Sequence, residues 1–375
     1  MDWVISNLLA IAIVGLGAII ASFVLRRRSL RKMLLCAGLA LLAAAFAGAI
    51  YVVVSPPGRE DTDKEESDGP LPTVPKSTSE QLRLAWDSEG RASWPVAETL
   101  ATISEVAYQP PVDAEKSYGD LGLTHVTPVV AGSMIGYVVS VEDVTVIAFR
   151  GTDSDEISDW IANLSQSAVD TPHGPIHKGF HNAYFSLKPQ VVKILSERKP
   201  KHLWITGHSL GGALALVCAY DLIETEQVQI RGLVTFGQPM VARRDLAKYL
   251  NKTLLGRYAR FVNKADVVAR IPPSYTYCGS LVWFTDNGIE RSQKKRLYGA
   301  IDSDEVLIDE ENELQPLTEE EFAQLQAELR AENSELERLP DGTPIFKGDT
   351  PWIRDHAMGF YLELIRGIFV NDKAD

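Results

Sequence analysis

The stretch that most restricts the fold runs from His202 to Ile223, where a β-rich run, HLWIT, passes without a break into Gly-His-Ser-Leu-Gly-Gly (207–212) and then into ALALVCAYDLI. A strand pattern followed at once by an Ala/Leu-rich helical pattern leaves no room for a loop, so the chain must turn a sharp corner with Ser209 on it. Gly207 and Gly211 flank that corner because side chains there would collide with the neighbouring strand and helix. The Ser209 hydroxyl is then expected to project from the carboxyl edge of a sheet, beside the next backbone N–H and the positive end of a helix dipole. A bare G-x-S-x-G arises by chance in about one chain in eight of this length, so the flanking strand and helix are what make the motif specific.

The same alternation continues along the chain. Strand-like runs occur at Met134–Val141, Val144–Phe149, Leu233–Phe236, Tyr258–Val262 and Ser280–Thr285, and helical spacing at Glu98–Tyr108, Ala183–Glu197, Gly212–Glu224 and Arg243–Asn251. Several strands are continuously apolar, as strands covered on both faces are. The predicted fold class is α/β, with a mostly parallel sheet flanked by helices. No internal repeat points to a solenoid or propeller.

The formal net charge of −13 is unevenly placed. Residues 1–54 carry +4, 55–68 carry −4 and 302–337 carry −13, while the remainder holds 29 bases and 29 acids. A nucleic-acid partner is therefore not expected, since phosphate binding needs a basic stripe on a folded surface and the one dense cationic run is RRRSLRK, 26–32. Hydrophobic content of 45% with 23% charged residues excludes wholesale disorder. Three cysteines cannot form a disulfide framework, although a pair between Cys218 and Cys278 stays open. No cofactor or metal is expected.

That cationic run separates two uncharged stretches, Trp3–Leu25 and Met33–Ser55, each long enough to span hydrocarbon as a helix. Residues 1–55 are expected to form a transmembrane hairpin with spans at about 3–25 and 33–54. Its basic loop lies inside, which places everything after it on the periplasmic, extracellular or lumenal side. Residues 56–80 read as a Pro-rich acidic tether, and 81–375 as one α/β domain with an acidic helical insertion at about 302–339. Within the insertion, Thr318 and Glu321 make a capping box, and Phe322, Leu325, Leu329, Leu336 and Leu339 form a seam interrupted by Glu332. This reads as a surface helix laid on the domain; its protein partner is unknown.

A neutral serine is a poor nucleophile, so a base must take its proton and a third group must orient that base. In a doubly wound hydrolase the order is nucleophile, acid, histidine. Of the seven histidines, only His356 lies after Ser209 and outside its motif; it stands in PWIRDHAMGFYLELI, where a loop before a C-terminal helix would present it. Asp266, just past YARFV, is the best placed acid, with two rivals. Asp286 in a D-N-G turn reads as turn chemistry, and Asp355 as a helix cap. Thr152, in Phe149-Arg150-Gly151-Thr152, could offer its backbone N–H and hydroxyl beside the Leu210 N–H as an oxyanion hole.

Taken together, FRGTDSDEISDWIANL, IHKGFHNAY, ITGHSLGGALA, VTFGQP, FVNKADVVARIPP and RDHAMGFYL resemble, in order and spacing, the class 3 (fungal-type) lipase family of α/β-hydrolases over most of residues 98–365. The resemblance implies Ser209, Asp266 and His356 as a triad, Thr152 and Leu210 as oxyanion donors, and Asp153–Leu164 as a lid. It also implies that His177 and Gly179 belong to a structural motif. Met240-Val241-Ala242 departs from the family's usual Arg-Val-Gly, and the 90 positions between Asp266 and His356 exceed the usual spacing by an amount the insertion explains.

In the lid, Ile157, Trp160, Ile161 and Leu164 fall on one helical face while Asp155, Glu156 and Asp159 point away, as suits substrates that approach from a lipid phase. The expected function is a membrane-anchored serine hydrolase of acylglycerol or phospholipid esters. Two alternatives are an acyltransferase using the same acyl-enzyme and a catalytically inactive anchored binding module. Intact Ser209, Asp266 and His356 argue against the second.

Overall fold

The parallel centre of one eight-stranded sheet places the C-terminal ends of β3, β6, β7 and β8 side by side, and Thr152, Ser209 and Asp266 follow three of those ends. The computed structural model describes residues 77–83, 93–154, 156–225, 229–292, 295–296, 306–307, 313–335 and 351–371. The chain divides into two units, 1–73 and 74–375, and all described elements belong to the second. The expected spans at 3–25 and 33–54 lie outside the described residues, among which no helix is long and apolar enough to cross a membrane.

Helices α1 (Thr78–Arg83), α2 (Trp94–Val106) and α3 (Pro111–Asp120) come first, then strands β1 (His125–Ala131), β2 (Met134–Val141) and β3 (Val144–Phe149). Next are helix α4 (Ile157–Asn163), short strands β4 (Ala168–Val169) and β5 (Ile176–His177), and helix α5 (Lys178–Arg198). The sheet is completed by β6 (His202–His208), α6 (Leu210–Thr225), β7 (Ile230–Phe236), α7 (Arg244–Thr253), β8 (Tyr258–Asn263), β9 (Ser280–Thr285) and β10 (Gly288–Ser292). Helices α8 (Glu319–Glu335), α9 (Pro351–His356) and α10 (Met358–Asn371) follow.

Strand order is β1-β2-β3-β6-β7-β8-β9-β10. The five strands from β3 to β9 are parallel, as their continuous apolar character requires, and antiparallel hairpins extend the sheet at both margins. Alternation along the strands feeds two cores. Ile147, Phe149, Leu203, Ile205 and Leu233 pack with α4, α5, α6 and α8 on one face. Val146, Ala148, Trp204, Val234 and Phe236 pack with α1, α2 and α10 on the other.

Several elements differ from the sequence reading. β1 carries Pro128 and is half exposed, which hides its pattern, yet an edge strand tolerates proline. α1 begins inside the expected tether, because the Thr78 hydroxyl donates to the Leu121 carbonyl at 2.5 Å and the Leu82 carbonyl accepts from the Trp204 indole at 2.7 Å. His356 is not in a loop before the C-terminal helix but is the last residue of α9, with Ala357 separating it from α10. The reason is local. The carbonyls of Asp355 and His356 accept from Asn263 Nδ2 at 2.9 Å and His208 Nε2 at 2.6 Å, so sheet side chains take the acceptors that a continuing helix would use. Cys218 and Cys278 are both buried and not joined in a disulfide, so the pairing left open does not form. Met240, Val241 and Ala242 are fully packed, and their backbone joins Ile271, His177 and Thr276.

At the corner, a Cβ on Gly207 would stand 2.3 Å from the Gly211 carbonyl oxygen, and one on Gly211 would stand 2.1 Å from the Phe149 carbonyl oxygen. Both obstacles are backbone and cannot swing away. Gly211→Ala should therefore lower unfolding free energy by about 1–3 kcal/mol or prevent folding. Gly119→Ala, on an exposed helical position with nothing within 4 Å, should leave it unchanged or raise it by up to ~1 kcal/mol. Urea denaturation of the two variants checks the contrast.

Candidate active site

Ser209 sits on the corner with φ +57°, a left-handed conformation that a non-glycine residue holds only when its surroundings impose it. Here its N–H donates to the Phe236 carbonyl at 2.9 Å, and its own carbonyl accepts from the Gly212 N–H at 2.9 Å. The residue is fully buried, and its hydroxyl has no hydrogen-bond partner among the described residues.

His356 lies against the end of β7. Gly237, next after Phe236, has φ +54°, and a Cβ there would lie 3.0 Å from the His356 ring and 2.7 Å from an Asp266 carboxylate oxygen. Only a bare backbone leaves the space the imidazole occupies. His356 Nδ1 lies 2.9 Å from both Asp266 oxygens. A carboxylate accepts, so Nδ1 carries the proton and Nε2 is left as the acceptor. Nε2 is buried and has no partner among the described residues.

Asp266, fully buried, also accepts from the Val268 N–H at 2.9 Å and the Tyr361 hydroxyl at 2.5 Å. Burial, then the neighbouring Asp266, pushes the Tyr361 hydroxyl well above its ordinary pKa, so it stays a donor. The rival acids are elsewhere. Asp286 is exposed in the β9–β10 turn, 2.7 Å from Lys264 Nζ. Asp355 is no helix N-cap, since it lies near the end of α9, where its carboxylate accepts from the Ala265 N–H at 3.4 Å.

Two residues outside the sequence reading hold His356 in place. The His356 carbonyl can only accept, so His208 Nε2 carries a proton toward it, and His208 Nδ1 accepts from the Tyr108 hydroxyl at 2.6 Å. The two imidazoles stand 4.6 Å apart between centroids. Burial, reinforced by His356, depresses the His208 pKa well below the usual value, which keeps this bridge neutral. No spacing rule links residues 108, 208 and 356; the one available signal was that His208 and His356 stand inside quoted motifs, while Tyr108 only ends a helical pattern.

Thr152 and Leu210 both line a cavity of about 820 Å³. Leu210 opens α6, so its N–H has no acceptor within the helix. Thr152 also borders a second cavity of about 400 Å³, walled by Tyr108, Ile157, His208, His356 and Met358. The predicted lid is α4 with its approach. Ile157 and Ile161 are buried, Trp160 stacks on Phe180 with centroids 6.2 Å apart, and Glu156 and Asp159 face outward. Arg150 pairs with Asp153 where the lid begins. His177 is structural. Nδ1 accepts from the Phe180 N–H at 3.3 Å as the α5 cap, while Nε2 donates to the Ser165 carbonyl at 2.6 Å, and burial lowers its pKa.

Residues 146–276 match the model of the lipase (class 3) family. A lipase of Rhizomucor miehei is 36% identical over 160 residues, covering 39% of this chain and 43% of that protein. Phospholipase A(1) DAD1, chloroplastic, of Arabidopsis thaliana is 29% identical over 174 residues, covering 37% and 38%. The chain thus spans less than half the length of these relatives. The solved triacylglyceride lipase of Rhizomucor miehei superimposes with a TM-score of 0.43 at 29% identity, covering 50% of this chain and 78% of that one.

The neutral histidines set a pH dependence. Both His208 and His177 have folded pKa values below the unfolded value of about 6.5. The stability they contribute is complete above that value and is lost as pH falls through it towards the folded values. Each should cost up to about 1.4 kcal/mol per pH unit in that window. Urea midpoints between pH 7.5 and 5 should fall, and the fall should be shallower in His208→Gln.

Proposed function

We propose, from the match of residues 146–276 to the class 3 lipase family, that this chain is a serine hydrolase of lipid acyl esters, acylglycerol or phospholipid, held at a membrane by its N-terminal hairpin. One observation supports it above the others. The Asp266–His356 pair leaves a buried imidazole Nε2 with no partner among the described residues, its ring 4.6 Å between centroids from that of His208, which precedes Ser209, and against Gly237, which follows the Phe236 that accepts from the Ser209 N–H. The names of the relatives, a lipase and a phospholipase A(1), support the substrate class. The anchor rests on the two uncharged stretches of the sequence.

In this reading Ser209 Oγ attacks the ester carbonyl carbon as its proton passes to His356 Nε2. Asp266 holds the imidazole in the tautomer that can accept and stabilises the imidazolium. The carbonyl oxygen becomes an oxyanion that the Leu210 and Thr152 N–H groups and the Thr152 hydroxyl receive, at about 10²–10³ in rate per donor. His356 then gives its proton to the departing alcohol oxygen as the C–O bond breaks, leaving the acyl group on Ser209. Water attacks that acyl-enzyme with His356 again taking a proton, and collapse returns the proton to Ser209 and releases the fatty acid. Tyr361 and the Tyr108–His208 bridge act as positioning groups, one on the acid and the other on the backbone of the base.

Incubating the full chain with a panel of acylglycerols and phospholipids, with products identified by mass, tests the reading. Wild type should release fatty acid from at least one lipid class, and Ser209→Ala should release none. Asp266→Asn should fold and lose about 10⁴ in kcat with little change in KM. Turnover that survives Ser209→Ala would refute the assignment.

A further inference from the structure

The acidic insertion is not a helix laid on an unrelated surface; its helix α8 holds the lid. Gln326 Nε2 donates to the carbonyls of Ile161 and Leu164, each at 2.9 Å, and Arg330 Nη2 donates to that of Ala162 at 2.5 Å. These carbonyls end α4, a seven-residue helix too short to be stable alone, and of the three only that of Ile161 also accepts within the turn, from the Leu164 N–H at 3.1 Å. The Arg330 cation also complements the negative end of the α4 dipole. Beneath these bonds Phe322 and Leu329, both nearly fully buried, join Ile157, Ile161, Ala162 and Leu164 in one apolar cluster, with Leu325 packed against it.

The foot of α8 is fixed to the sheet. Glu313 forms a buried ion pair with Arg260 of β8, whose guanidinium stands 4.2 Å from the Tyr277 ring centre. The Leu317 N–H donates to the Arg270 carbonyl at 3.0 Å, and Arg270 Nε donates to the Gln315 carbonyl at 2.9 Å. The Thr318 hydroxyl and Glu321 close the capping box that starts the helix. Glu319 accepts from Gln166, just past the lid, and from Ser274. One end of α8 is thus tied to β8 and to the segment after Asp266, and the middle grips α4, the element that the sequence marks as the lid.

We propose that α8 is a clasp that holds the lid shut and so limits access to Ser209. This rests on the reading of Ser209 as the nucleophile. For an ester to reach that fully buried residue α4 must move, and moving it breaks the Gln326 and Arg330 bonds and exposes the shared apolar cluster. Weakening the clasp therefore speeds access, and no group of the triad is touched.

The test uses the full chain held in solution by an amphipathic polymer, which avoids a micelle surface, and reads the rate at which a fluorophosphonate labels Ser209. The double variant Gln326→Ala/Arg330→Ala should label at least roughly tenfold faster than wild type, the size of effect that losing these three hydrogen bonds gives. Restoring the cation with Gln326→Ala/Arg330→Lys should bring the rate back towards wild type. Glu328→Gln, an exposed α8 position, should leave it unchanged. Equal or slower labelling of the double variant overturns the clasp while leaving the nucleophile reading intact. If no form labels at all, that reading fails and the clasp falls with it.

Discussion

The backbone crossing at the end of β6 is the constraint from which the rest of the edge follows. Gly207 lets the strand pass under the first turn of α6, and Gly211 lets that turn lie on the last carbonyl of β3. Two backbones can approach so closely only where neither carries a Cβ, and the residue between them is forced to positive φ. Ser209 is raised on that corner, the Leu210 N–H is left at an open helix start, and Thr152 is brought beside it because β3 is the strand being crossed.

A second group of contacts joins this edge to the C-terminal helices. Asn263 at the end of β8 and His208 at the end of β6 take the carbonyls of two successive residues, Asp355 and His356. Those bonds end α9 and fix the turn from which the His356 ring hangs. Asp266, itself held by the Tyr361 hydroxyl, then grips the ring through its Nδ1. The base is located by its backbone as firmly as by its acid.

Legibility in the sequence followed the range of the signal. Strands β2, β3, β6, β7, β8 and β9 stood out through their apolar runs, several nearly continuous because both faces are buried, and helices α5 to α7 through their helical spacing. The Ser209 corner was legible because strand, glycines and helix are adjacent along the chain. β1 was hidden by Pro128 and by half exposure at the edge. The Tyr108–His208–His356 bridge joins residues about a hundred or more positions apart, and local periodicity carries no trace of such a contact. The insertion's charge and capping box were visible, but its grip on the lid was not, because Gln326 and Arg330 bind backbone carbonyls whose positions only the fold supplies.

The role given to Ser209 is tested most directly by treating the full chain with an alkyl p-nitrophenyl phosphonate and mapping the adduct by peptide mass spectrometry. A single phosphonyl group on the peptide containing Ser209, absent when His356 is replaced by Ala, is the expected result. An adduct on another residue, or unchanged labelling without His356, would contradict the assignment.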